Sequence, residues 1–371
     1  MIELKGKYNT AKVFADNCEN SAQAQIINMM NYSFCENSKI RIMPDVHAGK
    51  GCTIGTTMTI YDKVVPNIVG VDIGCGMLVV KLEDKRINLP ELDSFIRKNI
   101  PYGRNVRERA HRSHGRVKAD ELKCYDKIHF NRFGEAQGAL GSGNHFLEID
   151  KDDEDNLYLV IHTGSRNPGK KVAEYYQNVA YKYHGGKNQS DIPYELAWLE
   201  GEEFENYLHD MRIMQRYAEN NRAIIAEEII SNMKLHEAER FTTLHNYIDL
   251  DNMILRKGAV SAQKGEILII PMNMRDGSLI CTGVGNPDWN YSAPHGAGRI
   301  MSRKDAQNSV SLSAFKKSMD GIFTTSVAHD IIDEAPMVYK PMEEIINNVG
   351  ETVNVDMIIK PIYNFKAGGR D

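Results

Sequence analysis

The chain of 371 residues has no apolar run of the ~18 residues that a membrane span requires. Its opening stretch, MIELKGKYNTAKVF, carries no apolar core of the kind found in a secretory signal, so none is expected. The six cysteines, Cys18, Cys35, Cys52, Cys75, Cys124 and Cys281, form no CxxC pair. A disulfide framework is therefore not expected, and a reducing, cytoplasmic setting is. An excess of basic charge is also missing. Lysine and arginine number 45 against 50 acids, for a net charge of −5, which argues against general adhesion to nucleic acid and leaves room only for a local basic patch. There is no fixed-period repeat, low-complexity tract or clear linker. Neither HExxH nor the spacing of a Walker A loop occurs, so a zincin helix and a standard P-loop are not in view.

What is present reads as an ordinary globular protein, 42% hydrophobic and 26% charged. TIGTTMTIYD, GMLVVKLE, LYLVIHTGSR, EILIIPM, SLICTGVG and VNVDMIIKPIYNF have the β-branched and aromatic content of strands between turn signals. Residues 91–99 look helical. Over 202–240, Phe204, Leu208, Met211, Tyr217, Ile224 and Ile225 recur at helical spacing, predicting one long helix or two in series. The pattern implies a single mixed α+β domain, 1–371, with a helical excursion at about 168–240. Residues 102–118, YGRNVRERAHRSHGRVK, are basic and poor in apolar residues; they are either a solvated loop or a surface for a phosphate backbone.

Several strings set metal-type ligands beside glycine. GVDIGCGM, after the strand-like NIV, places Asp72 and Cys75 among Gly70, Gly74 and Gly76. A thiolate with a carboxylate suits a divalent transition metal, and glycines permit close approach. GSGNHFLEI holds Asn144, His145 and Glu148 at the start of a strand. VIHTGSRNPGKK puts His162 at a strand end with Ser165, Arg166 and Lys170 beyond it. LHNYIDLD places His245 and Asn246 just after the expected long helix. PDVHAGKGCTIG holds His47 and Lys50, and the lysine could meet a phosphate. In SAPHGAGRIMSRKD, His295 stands before a Gly296–Ala297–Gly298 turn that looks like the opening of a helix, with Arg299 and Arg303 one turn apart. Such a junction suits an anion, and the histidine could bond a phosphate, ligate a metal or attack phosphorus.

Together and in this order, PDVHAGKGCTIG, VGVDIGCGM, GALGSGNHFLEI, IHTGSR, DMRIMQRYAENNR, HNY, KGAVSA, HGAGRIMSR, DEAPMVYK and KPIYNFKAGG resemble the RtcB family of RNA ligases. The strings run from Pro44 to near the C-terminus. The resemblance implies a mixed α/β fold around a deep dinuclear metal centre. It also implies GTP- and Mn²⁺-dependent joining of an RNA 3′-phosphate or 2′,3′-cyclic phosphate to a 5′-hydroxyl. By the same resemblance, Asp72, Cys75, His145, His162 and His245 would hold two Mn²⁺ ions, with Cys75 between them. Asn144 would contact a nucleotide phosphate, and Glu148 and Lys366 would recognise guanine. Gly296, Ala297 and Gly298 would lie along the nucleotide, Arg166 would meet an RNA or nucleotide phosphate, and His295 would become guanylylated. A monomer is implied, and a need for an activating protein partner is left open. Ligand softness alone would favour zinc, so manganese rests on the resemblance.

The chain departs from the family's usual pattern at three places. Pro294 precedes the histidine where a small polar residue is more usual. Asn167 and Pro168 stand for a glycine and an apolar residue. PMNMRDGSL differs before the nucleotide loop. These departures bear on substrate choice more than on guanylylation. Two other readings share the same residues: a metal-dependent phosphoesterase for 2′,3′-cyclic phosphates, and a non-catalytic factor that binds RNA ends.

Overall fold

Short β-branched runs between glycine turns do fold as strands. In the computed structural model, which describes residues 1–189 and 191–368, they collect into two large sheets. The end of the 1–371 domain and the last glycine of KPIYNFKAGG lie outside the described residues. The first sheet runs Ile2–Lys5, Thr10–Val13, Ile40–His47, Ile54–Thr59, Ile254–Lys257, Asn246–Asp249, with one parallel pair, Thr10–Val13 beside Ile40–His47. The second runs Glu237–Leu244, Gly76–Leu82, Leu157–Thr163, Phe146–Lys151, Val353–Lys366, Gly277–Gly283, Ile267–Asn273, antiparallel throughout. Strands buried on both faces read as continuous apolar runs, and Leu157–Thr163 is buried along its whole length.

A helix over Gly201–Met233 carries the helical excursion together with Arg166–Tyr183. Its N-terminal half sends Phe204, Tyr207, Met211, Met214 and Tyr217 into the core shared with the first sheet. Its C-terminal half sends Ile225, Ala226 and Ile229 against Leu78, Val80, Leu159 and Ile161 of the second. One helix thus braces both sheets, and the fold is mixed α+β as the sequence indicates.

Three local expectations are corrected. The helix stops at Met233, not 240: Lys234 takes a left-handed conformation, and 237–244 becomes the edge strand of the second sheet. The many charges of EAERFTTL hid its Phe241–Thr243 β character, which suits an edge strand. His245 accordingly follows that strand and not the long helix. NIV belongs to a short helix, Pro66–Val69, because Pro66 opens it with a preset φ.

Candidate active site

The register of the second sheet assembles the centre. Cys75 immediately precedes Gly76–Leu82. Gly76 pairs with Leu244 on one side and Thr163 on the other, while His162 lies opposite Met77 and Phe146. His145 precedes Phe146, and the His245 amide donates to the Cys75 carbonyl at 2.9 Å. Four ligand-type side chains from distant sequence are therefore carried to one end of adjacent strands. Their ligand atoms form two triads, Asp72–Cys75–His145 and Cys75–His162–His245, each with all atoms within 4.8 Å of one another. Cys75 is common to both. The Cys75 Sγ lies 3.4 Å from Nε2 of His145 and 3.4 Å from Nε2 of His162. His162 and His245 meet Nε2 to Nε2 at 3.2 Å, and His145 Nε2 is 3.1 Å from Asp72 Oδ2.

The surroundings fit a cation. Burial, then neighbouring positive groups, drives the His162 and His245 pKa values well below the ordinary histidine value, so both rings are neutral donors of a lone pair. Burial, and next the charge of Asp72, pushes the Cys75 thiol well up, so a metal is what would ionise it. Burial also opposes the charge of Asp72, but bonding to His145 overcomes this and holds its carboxyl low. The distal ring nitrogens are fixed as metal-ligating histidines require. His145 Nδ1 donates to the Leu140 carbonyl at 3.0 Å, and His162 Nδ1 to the Asn144 carbonyl at 3.1 Å. Asp72 Oδ1 accepts from the Ser165 amide at 3.0 Å. A Cβ on residue 164 would fall 2.3 Å from that carboxylate, which is why glycine stands there.

Behind the centre the long helix presents Asn221 and Arg222, both fully buried. Arg222 donates to the carbonyls of Gly74 and Thr163 at 2.9 and 2.8 Å, each next to a ligand residue. Asn221 accepts from the amides of Gly138 and Ala139 and donates to Gly164 O. The pair ties three ligand-bearing segments to one rigid element. Sequence reading quoted this helix and gave neither residue a role.

His295 sits beside the second triad, its ring centroid 5.0 Å from that of His245. It leaves a short strand, Ser292–Pro294, that pairs with Ala259–Ser261. No helix opens there: the next one begins at Arg303, capped by Ser302, because Gly298 turns through positive φ and Arg299 bridges to Tyr339. Arg299 and Arg303 likewise do not wait for an anion. Both reach the buried Glu334 carboxylate, at 3.4 and 2.7 Å. The orienting partner of His295 is Asp45, fully buried in strand Ile40–His47. Its Oδ2 accepts from His295 Nδ1 at 2.6 Å and from the His295 amide at 3.2 Å. That fixes the tautomer with the Nε2 lone pair outward. Asp45 was missed although its string was quoted. The signal was an acid inside the apolar run IRIMPDVH.

A cavity of about 140 Å³ lies over His295, walled by Gly296, Ala297, Gly298, Phe146, Met272 and Tyr339. Glu148 and Lys366 line it as well. Glu148 accepts from the Asn364 side chain, and Lys366 Nζ lies 2.8 Å from Glu334 and 3.3 Å from the Asn144 carbonyl. Burial works against the charge of Glu334, but Lys366, Arg303 and Arg299 hold its carboxyl at about 2. Glu334 and Asn364 were also missed.

On the other side of the centre a cavity of about 940 Å³ opens at Asp72 and His145. Arg166 lines it, in left-handed conformation (φ 55°), its guanidinium packed where a Cβ on residue 141 would otherwise sit. Most of the basic 102–118 stretch is clipped to the long helix instead. Arg107 makes a two-pronged pair with Glu228 at 2.8 and 2.7 Å, and Arg116 meets Glu227 at 3.0 Å. Only residues 103–106 reach the cavity wall. Lys50 is exposed and lines neither cavity, whereas His47 lines the one over His295.

Two triads of ligand-type side chains that share the Cys75 sulfur, with an acid-oriented histidine alongside, define the class: an α+β protein with a candidate metal centre. The family model described as tRNA-splicing ligase RtcB matches residues 25–123 and 102–367, and the chain belongs to the RtcB family. It is 31% identical to the RNA-splicing ligase RtcB of Escherichia coli (strain K12), over 94% of this chain and 95% of that one. The tRNA-splicing ligase RtcB of Aeropyrum pernix is 27% identical over 86% and 85% of the two chains. The RNA-splicing ligase RtcB2 of another Escherichia coli strain is 24% identical over 82% and 81%. No helix among the described residues is long and apolar enough to cross a membrane.

Proposed function

We propose that this chain is a GTP- and Mn²⁺-dependent RNA ligase that joins 3′-phosphate or 2′,3′-cyclic phosphate ends to 5′-hydroxyl ends through a His295–GMP intermediate. The observation that carries the reading is the 2.6 Å bond from His295 Nδ1 to buried Asp45, beside two triads that share Cys75. Asp72, Cys75 and His145 hold one ion, and Cys75, His162 and His245 the other. When bound, the two ions withdraw charge from phosphate oxygens and lower the barrier to substitution at phosphorus. Family membership selects manganese, since the donor set alone favours zinc.

The chain's own residues divide the rest. Asp45 keeps the Nδ1 proton of His295 in place, so Nε2 attacks the α-phosphorus of GTP and pyrophosphate leaves. A 2′,3′-cyclic phosphate is first opened by water, which breaks the P–O2′ bond and leaves a 3′-phosphate; the RNA 3′-phosphate then attacks the GMP phosphorus, breaking its bond to Nε2. The 5′-hydroxyl finally attacks the 3′-phosphorus and expels GMP. Asp45 stabilises the ring whenever it carries positive charge. Glu148 and Lys366 select guanine, Asn144 and residues 296–298 lie along the nucleotide, and Arg166 takes a phosphate. The protein works as one ligase domain, a cytoplasmic monomer.

Incubation with α-labelled GTP and Mn²⁺, then denaturation, tests the reading. The expected result is acid-labile, alkali-stable label on the protein that His295→Ala abolishes. No label across GTP, ATP and several metals would overturn it, and retained hydrolysis of 2′,3′-cyclic phosphate would then identify a phosphoesterase.

A further inference from the structure

Joining leaves one proton without an acceptor, that of the RNA 5′-hydroxyl. The cavity over His295 offers few side chains to take it. His162 and His245 are ligands, and His295 is the nucleophile. Glu148 and Lys366 face the base. Glu334 is held ionised by three cations and also accepts from the Tyr339 hydroxyl at 2.6 Å. The arginines are already protonated. Among the described residues that line the cavity, His47 is left. It ends strand Ile40–His47, two residues after Asp45 and opposite Ile54. Its Nδ1 lies 2.9 Å from the Asp45 main-chain carbonyl, which can only accept, so Nδ1 carries the proton and Nε2 the lone pair. Burial lowers the His47 pKa below the ordinary histidine value; Asp45 opposes this, and His295 and Arg299 add to it, so the ring is a neutral base. The same ring lines a third cavity of about 560 Å³, whose outer wall is the exposed Glu19, Ser21, Ala48 and Ile300. His47 therefore stands between the cavity of the nucleophile and water.

We propose that His47 is the general base of the joining step, accepting through Nε2 the proton of the RNA 5′-hydroxyl. The proposal rests on the ligase reading and supplies a catalytic residue which that reading lacks. As the 5′-oxygen bonds the 3′-phosphorus, its O–H bond breaks and the proton passes to His47 Nε2. The bond from that phosphorus to GMP breaks, and GMP leaves with the electron pair. The imidazolium so formed is stabilised by the Asp45 carbonyl and by the charge of the Asp45 carboxylate, and it returns its proton to water through the third cavity. Asp45 thus serves two histidines, orienting His295 with its carboxylate and His47 with its carbonyl. Self-guanylylation needs no such base, because Nε2 of His295 attacks without losing a proton.

The test follows two reactions of the full chain with Mn²⁺. One is self-guanylylation with GTP. The other is single-turnover joining of a 5′-hydroxyl RNA to an RNA whose 3′-phosphate already carries GMP. His47→Asn is the informative variant, since its amide can still donate to the Asp45 carbonyl but offers no nitrogen lone pair where Nε2 lies. Joining is expected to fall about 10²-fold or more, the scale of a lost general base. Guanylylation is expected to change by less than about threefold, too little for a residue that acts in that step. In His47→Ala, added imidazole should raise the joining rate, which a role confined to holding the strand end would not allow. Joining within about threefold of wild type in His47→Asn would overturn the proposal. An equal loss of both reactions in that variant would also overturn it, by making His47 a support for His295. Absence of guanylylation in the wild type would instead overturn the ligase reading.

Discussion

The two triads that share Cys75 are built on opposite plans. The Asp72–His145 side is charged and partnered: Ser165 donates to the carboxylate, Leu140 fixes the imidazole, Arg166 lies alongside, and a wide cleft opens in front. The His162–His245 side carries no carboxylate. Its rings are fully enclosed, kept neutral by burial, and packed edge-on against one another and Phe146. It faces the tight pocket with His295. A site that only needed to bind metal would gain nothing from this asymmetry. A site that must hold a mobile, polyanionic chain on one side and a single nucleotide on the other has reason to place its fixed charge and open space together and its neutral ligands near the nucleophile.

Removing the shared atom should break both halves at once. Cys75→Ala is expected to reduce bound metal from two ions toward none and guanylylation by at least about 10³-fold, since both triads lose their common donor. Plasma-emission metal analysis with the labelling assay checks it; one tightly held ion in the variant would show that the halves are independent. Next in size is Asp45→Asn, which keeps the shape but loses the negative charge and puts a donor NH₂ in place of one carboxylate oxygen, so the His295 tautomer is no longer set. Labelling should fall about 10²- to 10⁴-fold, the scale seen when a catalytic histidine loses its orienting acid. Metal content should not change, and a fall in metal would make Asp45 structural. A smaller effect separates the halves: Asp72→Ala should lose one ion and weaken binding of 3′-phosphate RNA about 10-fold, since that ion would no longer meet the phosphate. His245→Ala should lose the other ion and spare RNA binding. Equal RNA loss in both variants would erase the contrast drawn above.

How much of this was readable beforehand follows the same division. Four of the five residues of the two triads, all but His245, stood out because they sit in short glycine-bound strings, and glycine is needed where Asp72 or Arg166 approaches the backbone. The strands and the long helix were legible from their periodicity. What escaped was long-range pairing. Asp45 and His295 are 250 positions apart and meet only because the Ser292–Pro294 strand lies along the first sheet. Glu334 pairs with Arg299, Arg303 and Lys366, so the two arginines that look like an anion site in the sequence belong to an ion cluster in the fold. The edge strand after Met233 escaped because charge dominates its composition while its pairing partner, Gly76–Leu82, supplies the register.

The mildest prediction concerns protons on the nucleotide side. Guanine offers donors at N1 and N2, so Glu148 must be ionised to receive them. Burial pushes its carboxyl up to about 7, against the opposing pull of Asn364 and Lys366. Two positions along the same strand, Asp150 is fully buried with neither oxygen bonded, and burial followed by the charge of Glu148 drives its pKa well up. Asp150 is therefore neutral, and Glu334 nearby is held ionised by its three cations, so Glu148 is the group that titrates near neutrality. The free acid has the raised pKa and the bound form is ionised. Affinity is then complete above about pH 7 and declines as pH falls through it, by up to about tenfold per unit for one proton. Titrating a non-hydrolysable GTP analogue into His295→Ala between pH 6 and pH 8.5 measures this (from about 10⁻⁶ to 10⁻⁸·⁵ M protons). The decline should disappear in Glu148→Gln, which cannot ionise and binds weakly at every pH. A slope that survives that substitution would transfer the proton to another group and remove Glu148 from base recognition.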